Sequence, residues 1–162
     1  MYLEVKNLVK SYNNGSAVIN DLSFSVDKGQ LISFVGESGS GKSTFLKCLS
    51  GLEIPNSGLV SLNNKLINGK NIFVKPQKRK IGYVFQDYPL FPHLSIKENI
   101  CFNLDKDYHK NFDNIIDLTS LKHLLNRYPH EISGGEQQRA CIARSIIREP
   151  DLLLLDEPFS NL

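Results

Sequence analysis

The sequence has little that would fasten it with disulfides, metals or a membrane. Its three cysteines, Cys48, Cys101 and Cys141, are scattered and odd in number, with no CxxC and no Cys/His cluster. That argues against a disulfide framework or a zinc site and leaves free thiols in a reducing compartment. His93, His109, His123 and His130 have no metal spacing. No apolar run approaches membrane-spanning length. The start, Met1-Tyr2-Leu3-Glu4-Val5-Lys6, lacks an apolar core behind positive charge, so it does not read as a signal peptide. The net charge is only +2, too small to argue for nucleic acid or an anionic membrane surface. The basic run Lys75-Pro76-Gln77-Lys78-Arg79-Lys80 is expected to be a solvated loop. No internal repeat or low-complexity segment is visible. A chain of 162 residues, 41% hydrophobic and 22% charged, can build one globular domain with a real core.

What is present is ordered. Leu22, Phe24 and Val26 alternate with Ser23, Ser25 and Asp27, as in a half-buried strand, and Leu3 and Val5 suggest another. Asp27-Lys28-Gly29 reads as a turn. Leu31 to Val35 is mostly apolar and predicts a strand inside a parallel sheet covered on both faces. A loop over Gly36 to Gly41 follows, then helix over Lys42 to Leu52, stopped before Pro55. Asn56-Ser57-Gly58 and Asn63-Asn64 read as turns between short extended pieces. Ile81 to Phe85 predicts a strand, and Ser95 to Leu104 and Asn111 to Leu125 predict helices. Ser133 and Glu136 have capping-box spacing and open a helix running to about Arg148. Pro150 closes it, and Asp151 to Leu155 is the next buried strand. The order implies an α/β core with an antiparallel flank.

Three motifs carry chemistry. Gly36-Glu37-Ser38-Gly39-Ser40-Gly41-Lys42-Ser43 follows a predicted strand and precedes a predicted helix, the context a phosphate-binding loop requires. Its glycines let backbone amides turn inward, and the helix N-terminus adds a partial positive charge. Lys42 would reach the terminal phosphates, and the Ser43 hydroxyl would face Mg²⁺. Asp156 ends a run of four leucines, at the carboxyl end of a buried strand where ligands bind in open α/β sheets. Asp156 would hold Mg²⁺ through water, and Glu157 would polarise the attacking water as general base. Ser133-Gly134-Gly135-Glu136-Gln137 places two glycines at the start of a capped helix, a second anion site that suggests a γ-phosphate from another subunit.

With these motifs in this order, the chain resembles the ATP-binding-cassette ATPases over essentially all 162 residues. The resemblance implies a P-loop NTPase core with an antiparallel β flank and a small helical subdomain at about 87–135. Ser133 to Gln137 looks like the family's signature motif, with Glu136 at a position where glutamine is common. Gln86 matches the glutamine loop that links Mg²⁺ and the attacking water to the permease contact. Tyr12 matches the aromatic that stacks on adenine, with plain core packing as its alternative. Nucleotide contacts are expected at Tyr12, Gly36 to Thr44 and Ser133 to Gln137. Metal contacts are expected at Ser43, Gln86 and Asp156, and catalysis at Glu157 and Gln86. The segment Phe85 to Ile100 resembles importers for ferric iron, polyamines, molybdate, sulfate and sugars, where it receives the permease's cytoplasmic helix.

The resemblance implies ATP and Mg²⁺ as cofactors, a homodimer or pseudo-dimer of ATPase subunits, and an integral membrane permease as partner. The location implied is the cytoplasmic membrane face, held peripherally. No nucleic acid is expected, although cassette ATPases of DNA repair and translation share the motifs. The chain stops at Ser160-Asn161-Leu162, before the family's next aspartate, later strands and switch histidine. We therefore expect a C-terminally truncated fragment whose missing strands would leave the Asp151–Leu155 strand exposed along one edge, with a nucleotide-binding module without efficient turnover as the alternative reading.

Overall fold

A computed structural model describes residues 1–12, 15–104 and 111–158. The chain forms two compact units, Met1–Lys80 and Ile81–Leu162.

In the first unit, β1 (Leu3–Ser11) is the hub of a five-stranded antiparallel sheet, order β2-β1-β3-β4-β5. The others are β2 (Ala17–Val26), β3 (Ser57–Leu62), β4 (Lys65–Gly69) and β5 (Ile72–Phe73). Leu3 and Val5 of β1 face inward with Val60 and Leu62 of β3, as period-two alternation requires. Helix α1 (Lys42–Ser50) buries Phe45, Leu46, Cys48 and Leu49. Phe45 meets Phe24 of β2 edge-on at 5.5 Å, which seats the helix against the sheet. Asn63 and Asn64 hold positive φ of 49° and 59°, so this pair makes the expected turn, between β3 and β4.

In the second unit, β6 (Ile81–Val84) and β7 (Leu152–Leu155) pair in parallel, Ile81 with Leu152 and Val84 with Leu155. Helices α2 (Ile96–Ile100), α3 (Phe112–Leu118) and α4 (Gly134–Ile146) surround a second core. Ile96 and Ile100 meet Ala140 and Ala143 there, together with Ile116, Leu121, Leu124 and Ile147. The two alanines make one face of α4 thin enough for α2 to approach. Ser133 caps α4 in the expected capping box.

The structure corrects several expectations. Leu31–Val35 is not a strand. Leu31 and Val35 are 96% and 93% exposed, while Phe34 lies edge-on to Phe24 and Phe45. Apolar composition gives a segment strand propensity, but a strand exists only where a neighbour completes its ladder. Ser57 and Gly58 belong to β3 rather than to a turn, with Gly58 at φ 106°. The expected helix over 111–125 divides into α3 and a short 3₁₀ turn at Lys122–Leu124, and that over 95–104 shortens to α2. The run 75–80 is not wholly solvated. Lys75, Lys78 and Lys80 are exposed, but Arg79 is buried.

Arg79 is buried because its guanidinium answers carbonyls at the C-terminus of α1, where Cys48 O also accepts from the Gly51 N–H. One Nη donates to Cys48 O at 3.1 Å and Leu49 O at 2.8 Å, and Nε donates to Val74 O at 2.7 Å. A cation there also meets the negative end of the helix dipole. The Phe73 ring lies 4.9 Å from the guanidinium carbon. The arginine and Gly51, the αL C-cap of α1, are built for each other: a Cβ on Gly51 would lie 2.5 Å from Arg79 Nε.

Candidate nucleotide-binding site

The first unit carries Tyr12 and the loop before α1. Residues 36–40 are exposed, and the chain turns at Gly39 (φ 80°) and Gly41 (φ 91°). Gly41 is the N-cap of α1, and a Cβ there would lie 2.7 Å from the Val18 carbonyl oxygen. Only glycine allows this turn. Lys42 folds back into the loop. Its Nζ donates to Gly36 O and Glu37 O, both at 2.7 Å, and lies 3.4 Å from Ser40 Oγ. The loop is thus wound round an ammonium at a helix N-terminus, where cation, amide donors and dipole all favour an anion. Ser43 and Thr44 lie in the first turn of α1. These residues fit a bound polyphosphate. Tyr12, just past β1, is 43% exposed, with the Lys10 ammonium 4.8 Å from its ring centroid.

The second unit carries the carboxylates and the glycine-rich helix start. The Asp156 N–H donates to Val84 O at 3.0 Å, which prolongs the β6–β7 ladder by one bond and fixes where the carboxylate emerges. Asp156 is only 6% exposed, and Tyr83 Oη donates to its Oδ2 at 2.9 Å. Burial above all, and then the bond to Asp156, pushes the Tyr83 phenol above its ordinary range, so it stays a donor. A buried carboxylate oriented by a phenol suits a cation held through water. Glu157, at φ 47°, is exposed, and Gln86 Nε2 donates to its Oε2 at 2.9 Å. The expected pair Gln86 and Glu157 is therefore in direct contact.

At the start of α4, the Ser133 N–H donates to Glu136 Oε2 at 2.7 Å, and Ser133 Oγ lies 2.8 Å from the same oxygen. These bonds hold the Glu136 carboxyl below its ordinary value. Gln137 Nε2 donates to Pro129 O at 3.0 Å, tying the helix start to the preceding turn. A Cβ on Gly134 or Gly135 would meet nothing within 4 Å. The helix start is bare by composition, not by crowding.

Sequence reasoning did not find Tyr83, Asn99 or Arg79. The signal for Tyr83 was a polar-tipped residue at the centre of an apolar strand. Asn99 is fully buried and donates to Phe91 O, Leu94 O and Ser95 O while accepting from the Phe91 N–H, so it shapes the Phe91–Ser95 corner. Among the described residues no group of His, Cys, Asp and Glu could hold a metal ion alone. No helix among them is long and apolar enough to cross a membrane. The family-based readings for Ser160 to Leu162 lie outside the described residues.

Comparison with known proteins gives this geometry its family. The family model for the ABC transporter matches residues 19–160. The chain is 43% identical to the Fe(3+) ions import ATP-binding protein FbpC of Haemophilus influenzae, over 99% of this chain and 47% of that protein. It is 39% identical to the glucose import ATP-binding protein GlcV of Saccharolobus solfataricus, over 98% of this chain and 47% of that one. The chain thus spans about half the length of the curated relatives it matches. Among solved structures, cbiO1 of Clostridium perfringens, part of the ABC transporter complex cbiONQ, superposes with a TM-score of 0.85 at 30% identity, covering 99% of this chain and 66% of that one. A dimeric post-hydrolysis state of the ATP-binding cassette MJ0796, bound to ADP and Pi, gives 0.82 at 28% identity, covering 99% and 75%. The family model spans most of a chain that carries a phosphate loop wound round its lysine, a carboxylate pair ending a leucine strand and a capped Ser-Gly-Gly helix start, and the chain belongs to the ABC transporter family of ATP-binding cassettes.

Proposed function

We propose that the chain is the nucleotide-binding part of the ATP-binding subunit of an ABC importer, coupling ATP binding and hydrolysis to solute uptake through a membrane permease. The loop 36–43, wound round the Lys42 ammonium at the start of α1, carries this reading. Its amides and Lys42 bind the β- and γ-phosphates, and Ser43, Asp156 and Gln86 are the residues that would hold Mg²⁺. The metal, when bound, neutralises charge that develops on the transferring phosphoryl group. Glu157 takes the proton of the attacking water, and Gln86, bonded to it, orients that carboxylate. Tyr83 keeps Asp156 in one rotamer. Tyr12 stacks on the base. Residues 133–137 meet the γ-phosphate of a nucleotide held by a second subunit, across a dimer of two such cassettes. The helical subdomain, at about 87–135, faces the permease with the corner that Asn99 shapes, on the cytoplasmic side of the membrane.

The solute reading is an inorganic ion, ferric iron first. It rests on likeness in the segment 86–100, since no residue here would touch the solute. The test uses the intact protein. Lys42→Ala should abolish ATP binding, while Glu157→Gln should keep binding, stop turnover and trap a closed dimer. Undiminished turnover in Glu157→Gln removes Glu157 from its role. A disruption strain with normal iron uptake but defective uptake of another solute removes iron and leaves the ATPase reading intact.

A further inference from the structure

Lys10 stands two residues before Tyr12, and so on the same face of the extended chain. Its side chain is only 11% exposed. The ammonium donates to Ile54 O at 2.8 Å, pairs with Glu53 Oε2 at 3.1 Å, and lies over the Tyr12 ring at 4.8 Å. Glu53 belongs to the turn that leaves α1, and its N–H donates to Lys47 O in the helix's last turn at 3.1 Å. Asn56 closes the same tie from the other side. Its N–H donates to Val9 O at 2.8 Å, and its Oδ1 accepts from the Ser11 N–H at 2.7 Å. The end of β1 and the end of α1 are thus pinned together at Lys10. The other end of α1 is the phosphate loop.

We propose that Lys10 is a positioning residue for the nucleobase. It fixes the Tyr12 ring at one distance from the phosphate loop, and its charge beneath one ring face makes the opposite face a better stacking platform for a purine. This rests on the nucleotide reading above and extends it to recognition of the base. Charge and stem separate cleanly in a Lys10→Met variant, which keeps most of the aliphatic packing and removes the cation. Glu53→Gln loosens the pin from the other side.

The experiment measures binding of MgATP and of magnesium tripolyphosphate, which has the phosphates without a base, to the intact protein. Lys10→Met should weaken MgATP by about threefold to tenfold and leave tripolyphosphate within twofold, and Lys10→Arg should restore MgATP binding. Glu53→Gln should weaken MgATP by a smaller factor. Equal weakening of both ligands would make Lys10 a support for α1 only and overturn the proposal, as would unchanged MgATP binding in Lys10→Met. Tyr12→Ala is measured beside them. If it leaves MgATP binding unchanged, the base-platform reading fails and the proposal with it. If the unaltered protein binds neither ligand, the nucleotide reading itself fails.

Discussion

The glycines that bracket α1 and those that open α4 answer to different masters. Gly41 and Gly51 sit in αL at the two ends of α1, each with protein atoms where a Cβ would go. Gly134 and Gly135 begin α4 in ordinary helical backbone with open space around them. The fold demands the first pair. Nothing among the described residues demands the second, and glycine early in a helix has an entropic cost relative to alanine. A bare surface kept at that cost suits close approach of something from outside the chain.

Substitutions break this comparison in opposite directions. Gly51→Ala should be the most damaging, at about 3 kcal/mol, because it adds αL strain and drives Arg79 off the Cys48 and Leu49 carbonyls. Denaturant unfolding reads the loss, and a loss below about 1 kcal/mol would mean that the arginine yields without consequence. Gly41→Ala should cost about 2 kcal/mol, from its φ and the Val18 carbonyl, and should also abolish nucleotide binding. Gly135→Ala should go the other way. Stability rises by up to about 1 kcal/mol while ATP turnover of the intact protein falls. If turnover holds, the bare helix start has no ligand role. The smallest effect is electrostatic. Glu136 titrates below its ordinary 4.5 because Ser133 donates to it. A lowered folded value means that the cap's contribution is complete above 4.5 and fades as pH falls through the folded value. Ser133→Ala keeps the backbone N–H, the larger cause, and removes the hydroxyl, so the carboxyl midpoint, followed by NMR, should move only part of the way toward 4.5, and an unmoved midpoint would remove the hydroxyl as a cause.

The parts legible in the sequence were those written in neighbouring residues. Ser133 and Glu136 are three apart and cap each other, four leucines precede Asp156, and Lys42 follows the glycines that curl round it. The parts not legible depend on residues far along the chain. Nothing near Arg79 says that its guanidinium will meet the carbonyls of Cys48 and Leu49. Tyr83 reaches Asp156 only because β6 and β7 pair in register. Leu31 to Val35 failed as a strand for the same reason. Composition supplied the residues, but no periodicity reports whether a neighbouring strand is there to complete the ladder.

The parallel pairing of β6 with β7 has a consequence in time. The hairpin between β3 and β4 closes through two asparagines, a contact that forms on the microsecond scale (about 1–10 μs). Ile81 meets Leu152 only after all the intervening chain has been gathered in, and loop-closure entropy delays such non-local contacts. On refolding from denaturant, the β3–β4 hairpin should therefore gain protection early. The Tyr83–Asp156 bond, which waits on the parallel pair, should be among the last to register.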